Sequence, residues 1–344
     1  LMSATAHNEL LRGYFASTLG WPAVSQPLHV GSRRFPIEIS HLDDLCEVLM
    51  LPNRLMGAAK RMVDRCNKAP RDELAASGTA VSSSVISSQI ELAVWVVRLE
   101  AERQQMEAEQ WESSPSILVF VPGIAAVEDL VDELQESPAF RVIPIHSSLD
   151  METQLAAFEP APPGVTKVIA ATNAAESSIT LPDCDLVIDL GVEKSVFWNG
   201  THGASELRRG WISKASATQR AGRTGRVRPG RVYRLYPLSL FEALPEYNVC
   251  EMSHQPLENT LLQLRSILPA GSSVRELLSE AIEPPADGDV LRGLVSLASS
   301  GILDAGGDDA LLPPDRRLEQ LDRAGLTSTG KLAAALPLDH TLSR

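Results

Sequence analysis

The chain has 344 residues, 44% hydrophobic and 22% charged, with a formal net charge of −13. This is ordinary globular composition with length enough for two domains. Its four cysteines, Cys46, Cys66, Cys184 and Cys250, lie far apart without a C-x-x-C pair, so neither a disulfide framework nor a zinc site is signalled, and no metal cage is expected. The longest apolar run near the middle, Leu92–Val97, is too short to span a bilayer and no cleavable leader pattern opens the chain, so a soluble intracellular protein is expected.

In chain order, Arg33–Ile39 reads as a strand, and Pro36 places it at a sheet edge, where a missing amide donor is harmless. Between Asn67 and Ser88 the composition turns Ala/Ser-rich with Pro70 and Gly78, which reads as a mobile surface insertion. Ser88–Gln110 carries Ile90, Val94 and Val97 at helical spacing and then turns Glu/Gln-rich, predicting a helix that ends in solvent, with Trp95 and Met106 as packing residues. An alternation follows: strand Ile117–Val121, helix Ile124–Glu136, strand Val142–Ile145, helix Met151–Phe158, then strands Lys167–Ala171, Leu186–Leu190 and Val232–Tyr236. Short apolar runs separated by helices predict a parallel α/β sheet whose ligands bind beyond the carboxyl ends of the strands. Gly191–Ile212 reads as a long hairpin around Asn199-Gly200. After Leu240 come short helices with apolar stripes, Leu257–Ile267, Ser273–Ile282 and Gly288–Ser299.

The negative net charge argues against a chain coated for nucleic-acid binding. Its distribution is uneven, because Gly191–Leu235 holds Lys194, Arg208, Arg209, Lys214, Arg220, Arg223, Arg226, Arg228, Arg231 and Arg234 against only Glu193 and Glu206. Within it, Gln219-Arg220-Ala221-Gly222-Arg223-Thr224-Gly225-Arg226 sets three arginines on a glycine-punctuated turn with no acid beside them. Guanidinium groups are permanently charged planar forks suited to clamping a phosphate, and the glycines would let backbone approach the ligand. The plain alternative is a solvated basic loop.

The flanking sequence favours the first reading. Ala171-Thr172-Asn173-Ala174-Ala175-Glu176-Ser177-Ser178-Ile179-Thr180 and QRAGRTGR resemble motifs V and VI of the DEAH/RHA branch of superfamily 2 helicases; DEAD-box relatives usually carry a His where Gln219 stands. Ile117–Gly123 resembles motif IV, His146-Ser147-Ser148-Leu149 the segment after it, and Ser3-Ala4-Thr5 motif III. The similarity covers nearly the whole chain, weakly between about Cys66 and Ser88, and extends through Leu326-Thr327 to Leu336–Asp339. Two departures are Ser177 in place of the usual Thr, and Thr329 in place of an apolar residue, with Asp304–Gly325 longer than usual, as in an expanded wing.

The resemblance implies three parts: residues 1–34 as the end of a first RecA-like lobe and hinge, 35–240 as a second RecA-like domain, and 241–344 as a mostly helical winged-helix domain. It implies ATP with Mg as cofactor, the Mg ligands lying in a first lobe, because neither a Walker A loop nor a DEAH-type box occurs in these 344 residues. The start and the end of the chain accordingly both read as incomplete. Arg226 and Arg223 would reach the γ-phosphate, Gln219 would orient it and the attacking water, and Gly222 would admit the nucleotide. Phe158 matches an adenine-stacking position, while ordinary core packing explains it equally well from sequence. Thr172, Asn173, Ser177, Ser178, Thr180, His146 and Ser147 would hold the backbone of single-stranded RNA, with His146 also readable as a satisfied loop histidine. Ser3 and Thr5 would couple nucleotide state to lobe movement, the hairpin would act as a wedge, and stepping would run 3′ to 5′, with an activator protein as a further partner. The alternative is a non-enzymatic nucleic-acid-binding or partner-docking module.

Overall fold

The computed structural model describes residues 7–17, 28, 35–70, 80–106, 115–149, 155–178, 181–199, 204–253, 255–304 and 314–336. They form two compact units, one taking in Leu28–Ser195 and Leu207–Asn248, the other His7–Pro27, Val196–Glu206 and Val249–Arg344. Helix α1 (Asn8–Ser17) falls in the second unit.

The first unit is built on a six-stranded sheet in which every pairing is parallel. Its elements are β1 (Ile37–His41), α2 (Leu42–Val48), α3 (Asn53–Lys68), α4 (Ser83–Met106), β2 (Ser116–Phe120), α5 (Ile124–Gln135), β3 (Phe140–Ile145), a 3-10 turn at Ala156–Phe158, β4 (Thr166–Ala171), α6 (Ala174–Ser178), β5 (Cys184–Asp189), the start of β6 (Val192–Asn199) up to Ser195, β7 (Ala204–Trp211) from Leu207 on, α7 (Lys214–Ala221), β8 (Gly230–Arg234) and α8 (Leu238–Ala243). The strand order β1-β8-β5-β2-β4-β3 leaves β1 at an edge, as Pro36 suggested, and the amide of Gly230 donates to the Pro36 carbonyl at 3.0 Å. β6 and β7 pair as a separate two-stranded hairpin. Its tip, with Gly200, lies outside the described residues.

Side chains alternate across each strand, and both faces of the sheet are covered at its centre, which is why β2, β4 and β5 are buried at every position. One face packs Ile117, Val119, Val168, Ala170, Leu186 and Ile188 against α2 to α5. The opposite face packs Leu118, Phe120, Ile169, Ala171 and Val187 against Ala157, Ala175, Leu181 and Ala221. Among the described residues the second face carries short elements, and it is the one that holds the candidate site.

Two sequence expectations need correction, the insertion and the packing of Met106. α4 begins at Ser83, inside the stretch read as an insertion; the Val81 amide donates to the Arg209 carbonyl at 2.8 Å, and Val81 and Ile86 are buried in the core, so this part of the stretch packs on the sheet unit. α4 ends in solvent as expected, with Gln105 exposed, although Glu100 earlier in the helix is buried, accepting from Arg231 at 2.8 Å and from the Tyr233 hydroxyl at 3.0 Å. Trp95 packs against the core as expected, whereas Met106 is 85% exposed. Of the helix expected over Met151–Phe158, the described part is the turn alone, with 151–154 outside the described residues.

The second unit assembles α9 (Glu258–Ile267), α10 (Val274–Ser279), α11 (Asp287–Ser299), α12 (Pro314–Arg323) and α13 (Ser328–Ala335) around Leu261, Leu294, Leu297 and Ile302. One antiparallel bridge, Leu303 to Leu326, accompanies them, an arrangement that fits a winged-helix unit. Residues 305–313 of the expected wing lie outside the described set.

A glycine decides one local fit. A Cβ on Gly230 would fall 2.2 Å from Thr224 Oγ1 and 2.6 Å from the Gly225 amide nitrogen, the latter a backbone atom that has no rotamer to escape into. Gly230→Ala is expected to cost about 1–3 kcal/mol in urea unfolding, while Gly210→Ala, which meets nothing within 4 Å, stays within about 0.5 kcal/mol of the parent.

Candidate functional site

α7 starts at Ser213, whose hydroxyl accepts the Ser216 amide at 3.1 Å as an N-cap, and ends at Gly222 with the Gly222 amide on the Thr218 carbonyl at 3.0 Å. The helix therefore delivers Gln219 and Arg220 in its last turn and Arg223 and Arg226 just beyond. Thr224 is buried, and its hydroxyl lies 2.9 Å from the Cys184 carbonyl and 3.0 Å from that of Asp185, so the loop is fixed to the start of β5. Gly225 takes φ +73°, and a Cβ there would sit 2.5 Å from Ile37 Cγ1. These glycines bring the loop against its own sheet. The expectation that they serve close approach of a ligand is corrected for Gly225, where the near neighbour is protein.

The three arginines differ in role. Arg220 is fully buried, with Nη1 2.8 Å from Asp189 Oδ1, Nε 3.2 Å from Glu176 Oε2, and its guanidinium 5.0 Å from the centre of the Phe120 ring. Burial opposes its charge, but Asp189 and Glu176 outweigh burial and hold its pKa above the ordinary value. The run contains no neighbouring acid in sequence, yet the fold supplies two. Asp189 also accepts the Gly191 amide at 2.9 Å and the Tyr236 hydroxyl at 3.2 Å.

Arg223 and Arg226 lie outside the buried ion pairs and bond backbone carbonyls. Arg223 donates through Nη2 to the carbonyl of Glu176 in α6, and Arg226 donates through Nε to the Gly222 carbonyl at 3.2 Å. Both are half-buried, as is Gln219. The Arg223 pKa is lowered first by burial and then by the positive charge of Arg226, so the two guanidinium groups press on each other. Two like charges held together on an anchored loop suit a multiply charged anion.

The rest of the basic stretch is partly spent inside the protein. Arg231 pairs with Glu100 at 2.8 Å and Asp185 at 3.2 Å, Lys214 with Glu246 at 2.7 Å, and Arg234 bonds His41 Nε2 at 3.2 Å while lying 4.1 Å from the Phe241 ring centre. The basic count between 191 and 235 therefore overstates the cationic surface.

A second group sits at the carboxyl ends of β3 and β4, which pair side by side. His146 and Ser147 follow β3, and Thr172 and Asn173 follow β4, with the Thr172 amide on the Ile145 carbonyl at 3.0 Å. Asn173 and Ser147 are exposed. Thr172 is 7% exposed, and its hydroxyl accepts the Ala174 amide at 3.4 Å at the start of α6. Ser177 and Ser178 lie on α6 with side chains outside the described set, and Ser3, Thr5 and Thr180 lie outside the described residues altogether. Phe158 is 41% exposed at the end of its 3-10 turn, so packing in the core does not account for it.

Sequence reasoning missed Asp189, Glu176 and Lys167. A signal existed for two of them: a carboxylate closing the apolar run of β5 and a lysine opening that of β4 each require a buried partner. Among the described residues there is no cluster of three or more His, Cys, Asp or Glu suited to a metal, and no helix long and apolar enough to cross a membrane.

Comparison with known proteins follows the same lines. The helicase conserved C-terminal domain matches residues 100–228. A Drosophila persimilis protein named as the ATP-dependent RNA helicase spindle-E is 38% identical over 236 residues, 67% of this chain and 16% of that protein. A Mycosarcoma maydis protein named as a DEAH-box ATP-dependent helicase is 30% identical over 367 residues, 100% of this chain and 22% of its own length. The crystal structure of the Escherichia coli DExH-box NTPase HrpB superposes on 99% of this chain with a TM-score of 0.63 at 23% identity, covering 33% of that chain. The chain belongs to the DEAH/RHA-type superfamily 2 helicases, and its sheet is the RecA-like fold of that family. It spans less than a quarter of these two relatives' length.

The buried anchor has a measurable consequence. Arg220→Met leaves Asp189 and Glu176 without their cation and is expected to cost about 3–5 kcal/mol in denaturant unfolding. Arg223→Met, at a half-buried position, is expected to change stability by less than about 1 kcal/mol.

Proposed function

We propose that this chain supplies the arginine wall of the nucleotide site and part of the strand-binding surface of an ATP-dependent RNA helicase, in which hydrolysis drives 3′-to-5′ movement along RNA. The observation that carries this reading is the pair Arg223 and Arg226 on a loop pinned to β5 through Thr224, with Arg220 neutralised behind them. Phosphoryl transfer asks little covalent chemistry of a protein; it asks for charge held in place as the terminal phosphoryl leaves. A loop fastened at both the sheet and α7 meets that requirement, because its guanidinium groups need no reorganisation when charge develops on the phosphate oxygens.

The donors present fit a nucleotide polyphosphate. Arg223, Arg226 and Gln219 would hold the terminal phosphate, and the exposed Phe158 ring offers a flat apolar face for the base. ATP with Mg supplies the electrophilic phosphorus; the Walker loop and acidic box that ordinarily hold the metal are motifs these 344 residues do not contain. Residues 35–240 would act as the second RecA-like lobe and 241–344 as the winged-helix domain, with 1–34, including Ser3 and Thr5, coupling nucleotide state to the strand. Asn173, Ser147, His146 and the hydroxyls of 172, 177, 178 and 180 would bind the sugar–phosphate backbone, which carries no base identity and so suits a motor. An intracellular setting and an activating protein partner follow from the same reading.

The test is Arg226→Ala in the complete protein. RNA-stimulated phosphate release is expected to fall on the order of 10³-fold or more, with single-stranded RNA affinity retained. Turnover retained in that variant removes the proposed role. A second measurement separates the binding-module reading: this chain alone, assayed for phosphate release with and without single-stranded RNA, is expected to show none, and turnover by it would overturn the division of labour given above.

A further inference from the structure

We propose that Lys167 is a positioning residue for the Phe158 ring, and that the segment Asp183–Asp185 is a common mount setting the ring and the Arg223/Arg226 loop in register for one nucleotide. This rests on the reading of Phe158 as the base-stacking surface.

Lys167 is the second residue of β4 and is 0% exposed. Its Nζ lies 3.0 Å from the Ala157 carbonyl, 2.9 Å from the Glu159 carbonyl and 2.6 Å from Asp183 Oδ2. An ammonium has three N–H donors, and all three are used. Its neighbours Val168, Ile169 and Ala170 are equally buried and apolar, so an aliphatic residue would fill this place without the desolvation that burying a charge demands. The lysine achieves something an aliphatic residue does not: it fixes the peptide carbonyls on either side of Phe158.

The grip has a second arm. Arg141 on β3 pairs with Glu159 Oε2 at 2.6 Å and donates to the Pro160 carbonyl at 3.2 Å. Within the turn, the Glu159 amide bonds the Ala156 carbonyl at 3.3 Å, and the Ala157 methyl is buried in the apolar cluster beneath. Residues 157, 159 and 160 are therefore held by backbone or side chain, while the ring of 158 is left 41% exposed. A turn this firmly held, with its one large apolar side chain facing outward, is built to present that side chain.

Asp183 joins the turn to the arginine loop. Its carboxylate takes Lys167 on one oxygen and the Ser116 hydroxyl on the other at 3.1 Å, and its carbonyl accepts the Ser116 amide at 2.9 Å. The next two carbonyls, of Cys184 and Asp185, face the Thr224 hydroxyl. Three consecutive residues thus hold the base-side turn through Lys167 and the phosphate-side loop through Thr224. A nucleotide bound at both ends requires the spacing between those ends to be fixed, and this short segment fixes it.

The experiment uses the complete protein, comparing Lys167→Met with Phe158→Ala. Two probes are titrated: 1,N6-ethenoadenosine diphosphate, whose fluorescence is quenched when the base stacks, and inorganic tripolyphosphate, which has no base. Phe158→Ala is expected to weaken the ethenoadenosine probe about 5- to 150-fold, the range for one base–aromatic stack, with tripolyphosphate affinity retained. Lys167→Met is expected to reproduce that pattern, including loss of quenching. If Phe158→Ala loses base-dependent affinity and Lys167→Met does not, the positioning role is overturned while the stacking reading stands. If Phe158→Ala loses nothing, the stacking reading fails and the proposal with it. Equal loss of both probes in Lys167→Met makes the lysine a general structural support and also overturns the proposal. Should Lys167→Met not fold, judged by thermal unfolding, the double variant Lys167→Met/Asp183→Leu removes both charges, and its ethenoadenosine affinity decides in the same way.

Discussion

The buried contact of Arg220 with Asp189 and Glu176 is the constraint on which the site depends. It ties the last turn of α7 to the end of β5 and to α6 at once, so the motif carrying the arginines and the motif following β4 cannot move independently without exposing or orphaning a charge. Arg223 adds a second tie through the Glu176 carbonyl. One glutamate thereby organises two arginines: its side chain holds the buried Arg220 and its backbone carbonyl holds the half-buried Arg223.

That economy depends on the sheet. Both faces are covered at the sheet's centre, but α2 to α5 lie on one of them, while the described elements on the other are short: the 3-10 turn of Phe158, α6 and the end of α7. Short elements bury little apolar surface each, so they rely on polar anchors to stay in place. Lys167, Thr224 and Arg220 are those anchors, and each reaches a carbonyl or carboxylate of β5, its flanking residues or an adjacent turn. The polar residues at this face are therefore as much part of its architecture as its leucines and isoleucines.

Much of the fold was readable beforehand because its cause is local. The alternation of apolar runs with amphipathic helices located β2 to β5 and β8, and Pro36 identified the edge strand. Where the cause was not local, the reading missed. α4 does end in solvent, but nothing local showed that Glu100 within it is buried by Arg231 and Tyr233, more than 120 residues later. The basic run from 191 to 235 looked like one anionic site, but its charges are divided between internal pairs and the loop because their acidic partners come from distant strands and helices.

The sequence by itself determined the family and the phosphate-suited motif, since QRAGRTGR and the segment after β4 are contiguous strings whose chemistry is visible residue by residue. Which arginine is buried in ion pairs and which lie half-buried on backbone carbonyls was decided only by tertiary structure. The reason is that a guanidinium's role is set by what lies within about 3 Å of it, and here those neighbours, Asp189 and Glu176, arrive from positions 31 and 44 residues away.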